Sequence, residues 1–201
     1  PCIERSIFLG AILRLYNQVI NISGTNGKST AVAMSALMLI EAGLDPTVHL
    51  GAELINFKTT VRAGRGKDLM LSEACEFRRG FYNYRGDINI ILNMVHDHID
   101  SYKTPDDMVD SFARFAALQP AGSTLILPTY EPALDSFFQK LEELVPGHSK
   151  TLHLLYFGRE DQLTPFGGKP DYAYCNLKYD EYGNPSFNVR CLNEDWGELA
   201  L

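Results

Sequence analysis

The sequence predicts an α/β domain: a mainly parallel sheet layered between helices, with a small antiparallel meander at its C-terminal end. Three observations carry this. Short apolar runs rich in β-branched residues, such as "QVINIS" and "DINIILN", alternate with longer stretches whose apolar residues recur at helical spacing. Turn signals separate the two kinds of segment, and strands that alternate with helices bury both faces of a parallel sheet. The last thirty residues change character, to short aromatic-rich segments around "YGNP".

Taken in order, "IERSIFLGAILRLYN" reads as a helix with Ile7, Leu9, Ile12, Leu13 and Tyr16 on one broad face. "QVINIS" is a buried strand. "KSTAVAMSALMLIEAG" follows as a helix stopped by Gly43, with Pro46 beyond. "PTVHLG" and "DLMLSEA" are strands, and "RAGRGKD" is a turn between extended pieces. "DINIILN" is a strong strand. "TPDDMVDSFARFAAL" starts a helix with Thr104 as cap, Pro105 at the first helical position and two aspartates at the positive end of the dipole. "STLILP", "EPALDSFFQKLEEL" and "TLHLLYFG" complete a strand, a helix and a strand. Residues 1–160 would form the main sheet and 171–201 a small antiparallel subdomain, with turns at Tyr182–Pro185 and around Asn193.

Composition narrows the function. With 18 Lys+Arg against 25 Asp+Glu the net charge is −7, and no basic block offsets it, so general nucleic-acid binding is not expected. Cys2, Cys75, Cys175 and Cys191 are scattered without a C-x-x-C pair, which argues against a zinc site or disulfide framework and for reduced thiols in a cytoplasm. No apolar run reaches membrane-spanning length, so no membrane partner is expected.

The chemistry begins at "VINISGTNGKST", residues 19–30. A loop between a strand end and a helix start aims several backbone N–H groups and the positive helix end into one small space, which suits phosphate oxygens. Gly24 and Gly27 permit close approach. Lys28 can place its ammonium over the outer phosphates, and Ser29 or Thr30 can offer a hydroxyl to Mg²⁺. The usual first glycine of such loops would fall at Ile22, so the common spacing fails. The competing reading is a plain strand-to-helix turn with a solvated lysine.

Two further strand ends sharpen the first reading. "LMLSEACEF" puts Glu73 at the end of a strand, where a carboxylate in a nucleotide-binding sheet often holds Mg²⁺. "IILNMVHDHIDSY" puts His96, Asp97, His98 and Asp100 just past another, and ligands of open parallel sheets collect beyond the carboxyl ends of strands. Glu76 reads as part of a solvated helix start. Three separate strands thus deliver a phosphate loop, a carboxylate and a histidine to one edge of a P-loop-like sandwich.

"SGTNGKST", "EACE" and "LNMVHDHIDSY" together resemble the motifs of the Mur ligases, whose nucleotide loop reads G-T-[HN]-G-K-[ST]-[ST]. The resemblance covers nearly the whole chain and implies the middle, ATP-binding domain of such an enzyme. It is nearest to members that join an amino acid to a UDP-sugar carboxylate in peptidoglycan precursor synthesis. It implies that Gly24, Thr25, Asn26, Gly27, Lys28, Ser29 and Thr30 hold ATP, that Ser29 or Thr30 with Glu73 binds a first Mg²⁺, and that His98 holds a second. Lys28, Glu73 and His98 would be the catalytic set, for phosphorylation of a carboxylate by ATP followed by amide formation.

The chain departs from the family pattern in places. Asn26 stands where the nearest members more often carry histidine, and Val95 replaces the glutamate that usually lies two residues before the Asp-His pair. His96 is an extra candidate ligand. No stretch offers an adenine pocket or a UDP-sugar site, so the amino-terminal sugar domain and the carboxy-terminal domain are expected to be absent and the chain alone is not expected to ligate. The alternatives are another Mur-type ligase, including a folylpolyglutamate-like one, or a non-catalytic nucleotide-binding module on the same fold.

Overall fold

The structure, a computed structural model, describes residues 2–98, 100–192 and 194–200. Its first half runs α1 (Arg5–Leu13), β1 (Gln18–Ser23), α2 (Lys28–Glu41), β2 (Thr47–Leu54), β3 (Thr59–Arg62), β4 (Leu69–Glu73) and β5 (Ile88–Ile91). The second half runs α3 (Pro105–Ala117), β6 (Thr124–Pro128), α4 (Leu134–Leu144), β7 (His153–Arg159), β8 (Tyr172–Tyr179), β9 (Pro185–Cys191) and β10 (Glu194–Ala200). The strands form one sheet in the order β10-β9-β8-β7-β6-β5-β1-β4-β2-β3. Pairings from β2 through β8 are parallel, while β3, β9 and β10 add antiparallel edges.

Side-chain alternation along the central strands explains the layers. Val19 and Met70 face a core shared with α1, α3 and α4, whereas Ile22 and Leu71 face a smaller core closed by Val32 and Ala36 of α2. On the larger side Phe81 stacks on Phe115 at 4.7 Å between ring centroids. Helix α3 starts as its sequence dictates: Thr104 accepts from the Asp107 N–H, Asp107 reciprocates, and Pro105 occupies the first turn. Helix α2 ends on Gly43, whose φ of 82° lets the Leu44 N–H turn back to Leu39 O.

The observed elements depart from the sequence reading at two points. Helix α1 ends at Leu13 and buries Ser6, Leu9, Gly10 and Leu13, leaving Ile7 exposed. A Cβ at Gly10 would collide with the Asn83 carbonyl, so the helix approaches through its glycine rather than its largest side chains. β3 was not foreseen. It is a four-residue edge strand of mostly exposed side chains and carries no apolar alternation to betray it. The aromatic tail forms the expected antiparallel meander, β8-β9-β10, and joins the main sheet where β8 pairs in parallel with β7 through Phe157 and Tyr172. Its hairpin turns where "YGNP" indicated, with the Asp180 carboxylate accepting from Tyr182 and Asn184 N–H groups. The second expected turn, at Asn193, lies outside the described residues.

Candidate functional site

The sheet order places the site. β1 lies between β4 and β5, with Ile22 opposite Glu73 and Ser23 opposite Ile91. From β1 the chain crosses by α2 to β2 on one side, then reaches β5 on the other, so the winding reverses there and opens a crevice at the carboxyl ends. The loop 24–27 emerges at that crevice, flanked by the end of β4 and the exit of β5.

The loop is shaped by its glycines and stitched to the β5 exit. Gly24 has φ 134°, and a Cβ there would meet Leu92 Cβ at 2.9 Å. Thr25 N–H donates to Asn93 O at 3.2 Å, Asn26 N–H to Asn93 Oδ1 at 2.9 Å, and Asn93 Nδ2 returns a bond to Asn26 O at 3.0 Å. Thr25 Oγ1 donates to Val95 O at 2.7 Å. Gly27, at φ 82°, is the helix N-cap and has no side chain to cap with. The helical ladder begins with Ala31 N–H donating to Gly27 O, so the amides of Lys28, Ser29 and Thr30 precede it and have no acceptor within the helix. Uncapped N–H groups at a glycine-bounded helix start are the donor set that phosphate oxygens fit.

Lys28 is buried and folds beneath the loop. Its Nζ donates to Gly24 O at 2.7 Å and Thr25 O at 3.0 Å, and lies 2.9 Å from Glu76 Oε2. Glu76 is fully buried. The expectation of a solvated helix start is therefore corrected: "EACEF" turns into a 3-10 segment, Phe77–Asn83, that carries the carboxylate inward under the loop. Its other near neighbour is His98, whose Nε2 lies 3.3 Å from Glu76 Oε1. Tyr102 donates its hydroxyl to Glu76 O, and burial pushes the Tyr102 pKa up to about 12, so it remains a donor.

Glu73 ends β4 on the other side of the loop. Its Oε2 accepts from Gly51 N–H at 2.7 Å and from Ser29 Oγ at 2.8 Å; among the described residues Oε1 accepts nothing. Of the two candidate hydroxyls, Ser29 meets Glu73 and Thr30 is exposed. Gly51 is required here, since a Cβ would sit 2.8 Å from Glu73 Cδ. Among the described residues no three His, Cys, Asp or Glu side chains are grouped to hold a metal. The donors that are present, one carboxylate and one hydroxyl beside a phosphate loop, still suit Mg²⁺, which keeps waters and takes phosphate oxygens in place of an all-protein cage.

His98 sits past β5 in the left-handed region, at φ 53°, a strained conformation held by Ser101 and Tyr102 N–H bonds to its carbonyl. Its ring packs against Phe77 at 5.3 Å. The neighbouring candidates do other things. His96 Nε2 lies 2.9 Å from Tyr102 O, Asp97 Oδ1 accepts the His98 N–H at 2.6 Å, and Asp100 is exposed. The Val95 side chain is exposed, and its backbone carbonyl accepts the Thr25 hydroxyl of the loop.

Sequence reasoning missed four contributors. Asn93 pins the loop, and an asparagine two residues past the end of β5 was the available signal. Glu76 was dismissed. Gly51 makes room for Glu73. His49, on β2, was read only as part of a strand, yet it is buried with its Nε2 2.9 Å from Arg5 Nη2. Burial first, and Arg5 second, hold its pKa below the usual 6.5, so the imidazole is neutral at pH 7.

Comparison with known proteins agrees with this geometry. The profile of the Mur ligase middle domain matches residues 22–161. The UDP-N-acetylmuramate–L-alanine ligase of Lachnospira eligens is 31% identical over 201 residues, covering 100% of this chain and 40% of that protein. The enzyme of the same name from Caldanaerobacter subterraneus is also 31% identical, with the same coverage. The chain thus spans about 40% of the length of the curated relatives it matches. Among solved structures, the UDP-N-acetylmuramate:L-alanyl-gamma-D-glutamyl-meso-diaminopimelate ligase from Neisseria meningitides superposes with TM-score 0.74 at 20% identity, over 99% of this chain and 60% of that one. The MurF ligase of Thermotoga maritima, solved with ADP, gives 0.71 at 14% identity, over 100% of this chain and 45% of that one. Loop, sheet order and sequence profile agree, and the chain belongs to the Mur ligase family, matching its middle domain.

Proposed function

We propose that this chain is the ATP-binding core of an ATP-dependent carboxylate–amine ligase, acting with UDP-N-acetylmuramate and L-alanine in peptidoglycan precursor synthesis. The observation that carries the reading is the convergence on one sheet edge of uncapped amides at Lys28–Thr30, the Lys28 ammonium, the Ser29–Glu73 pair and His98. In this reading the loop amides bind the phosphates of ATP and Lys28 neutralises charge on the γ-phosphate as it transfers. The substrate carboxylate oxygen forms a bond to the γ-phosphorus as the bond to ADP breaks. The amine of the amino acid then attacks the acyl carbon, and phosphate leaves. Ser29 and Glu73 would hold a first Mg²⁺ and His98 a second, and such ions would supply positive charge beside the transferring phosphoryl group.

The residues at this edge reach phosphates, a metal and a carboxylate. None of them forms an adenine or sugar-nucleotide site, so the 201-residue chain is expected to bind ATP·Mg²⁺ without completing ligation. Calorimetry with ATP and Mg²⁺ tests the reading. Lys28→Ala should lose a charge-assisted contact and about 1.5–3 kcal/mol of binding. Equal affinities for the two proteins would overturn it.

A further inference from the structure

The Lys28 ammonium has three N–H donors, and all three are spent inside the protein. Nζ donates to Gly24 O at 2.7 Å, to Thr25 O at 3.0 Å and to Glu76 Oε1 at 3.1 Å. None is left for a phosphate oxygen. We propose that Glu76 is a positioning residue that holds Lys28 withdrawn beneath the loop, and that a nucleotide binds by drawing the ammonium away from it. The proposal rests on the nucleotide reading above and says what that reading's lysine must give up.

Of the three bonds, the one to Glu76 is the one a phosphate can replace. Gly24 and Thr25 lie four and three residues before Lys28, so their carbonyls move with the loop and the lysine together. Glu76 comes from another element, 48 residues further along the chain. It offers a full negative charge, as a phosphate oxygen does, and the exchange trades one charge-assisted partner for another. Breaking the pair with no anion to take its place is costly, because Glu76 is fully buried and Lys28 is 9% exposed. An empty loop therefore keeps its lysine folded in, and a strong anion at the helix start is what releases it.

The surroundings hold Glu76 in place and leave it a neighbour once Lys28 departs. Arg78 at φ 50° and Arg79 at φ 58° are two consecutive non-glycine residues in the left-handed region, directly after Glu76 and Phe77. Such strain persists only where surrounding structure enforces it, and it clusters at switch regions. The kink is braced at Glu76 itself, whose carbonyl accepts the Arg79 N–H at 2.8 Å and the Tyr102 hydroxyl. Glu76 Oε2 is buried and accepts no hydrogen bond among the described residues, so its charge is balanced by Lys28 Nζ at 2.9 Å. Oε1 has a second neighbour in His98 Nε2, at 3.3 Å. With Lys28 drawn off, that ring is the donor left to the carboxylate. His98 follows the stretch that Asn93 and Val95 tie to the loop, so loop, lysine, carboxylate and histidine form one closed circuit.

The test pairs calorimetry with a crystal structure. Magnesium adenylyl imidodiphosphate, an ATP analogue that resists hydrolysis, is titrated into the wild type, Glu76→Gln and Glu76→Asp. Glutamine keeps the shape and removes the charge, so Glu76→Gln should bind about tenfold tighter, the worth of a charge-assisted bond no longer given up. A merely structural role for Glu76 would leave affinity unchanged or lower it. Glu76→Asp keeps the charge and retracts it by one methylene; it should tighten binding by less, and it serves as second variant should Glu76→Gln fail to fold. In crystals of the wild type with the analogue, Lys28 Nζ should lie more than about 4 Å from both Glu76 oxygens and within hydrogen-bond reach of a phosphate oxygen. Equal or weaker binding by the folded variant would overturn the proposal, as would a Lys28–Glu76 pair that persists with the nucleotide bound. Binding by Glu76→Gln but not by the wild type would support it. Binding by neither would sink the nucleotide reading itself, and this proposal with it.

Discussion

Replacing Glu76 by glutamine tests the buried ion pair beneath the loop. Glu76 is fully buried and Lys28 is 9% exposed, so water screens their 2.9 Å contact weakly. Removing one partner of such a pair costs about 3–5 kcal/mol, because the other charge stays buried. Here Lys28 keeps the carbonyls of Gly24 and Thr25 and the amide can still accept one bond, which places the expected loss at the lower end, about 3 kcal/mol. The His98 contact adds little, since that ring is 34% exposed. Urea unfolding at pH 7 of the wild type, Glu76→Gln, Lys28→Met and the double variant closes a double-mutant cycle. The double variant should lose less than the sum of the singles, with a coupling of about 2 kcal/mol. A Glu76→Gln loss within about 0.5 kcal/mol, the range of ordinary surface changes, or strictly additive singles would refute the argument.

Two further outcomes follow from neighbouring residues. Gly51→Ala puts a Cβ 2.8 Å from Glu73 Cδ and must swing that carboxylate off Ser29, so calorimetry with and without Mg²⁺ should show the metal-dependent part of ATP affinity fall. The Gly51 backbone is not in the left-handed region, and an unchanged Mg²⁺ dependence would mean that Glu73 does not hold the ion. His49 has a folded pKa held below 6.5, so the unfolded chain binds the extra proton first as pH falls. Its contribution to stability is present above that value and is lost as pH drops through 6.5 toward the lower folded pKa. Thermal melts from pH 8 to pH 5 should decline less steeply for His49→Gln than for the wild type, and parallel declines would show that the ring is not buried neutral.

The amino-acid sequence by itself determined the layer architecture, because strand and helix periodicities, the Thr104 capping box and the Gly43 stop are all local signals. It also located the glycine loop between β1 and α2: a strand end, two glycines and Gly-Lys-Ser lie within a dozen residues and need no partner to be read. Lys28, Ser29, Glu73 and His98 could be singled out as candidates for the same reason, each standing at or past a strand end. Tertiary structure alone decided what surrounds them. Glu76 looks like any polar residue after a strand, and only the inward 3-10 turn buries it against Lys28, a residue 48 positions away. Arg5 and His49 are 44 residues apart, on a helix and a strand with no shared motif, and meet only in the fold, where α1 packs through Gly10 against Asn83 of the 3-10 segment that follows β4. The exposed strand β3 was silent for the opposite reason: its pairing is backbone hydrogen bonding to β2, which side-chain patterning does not record.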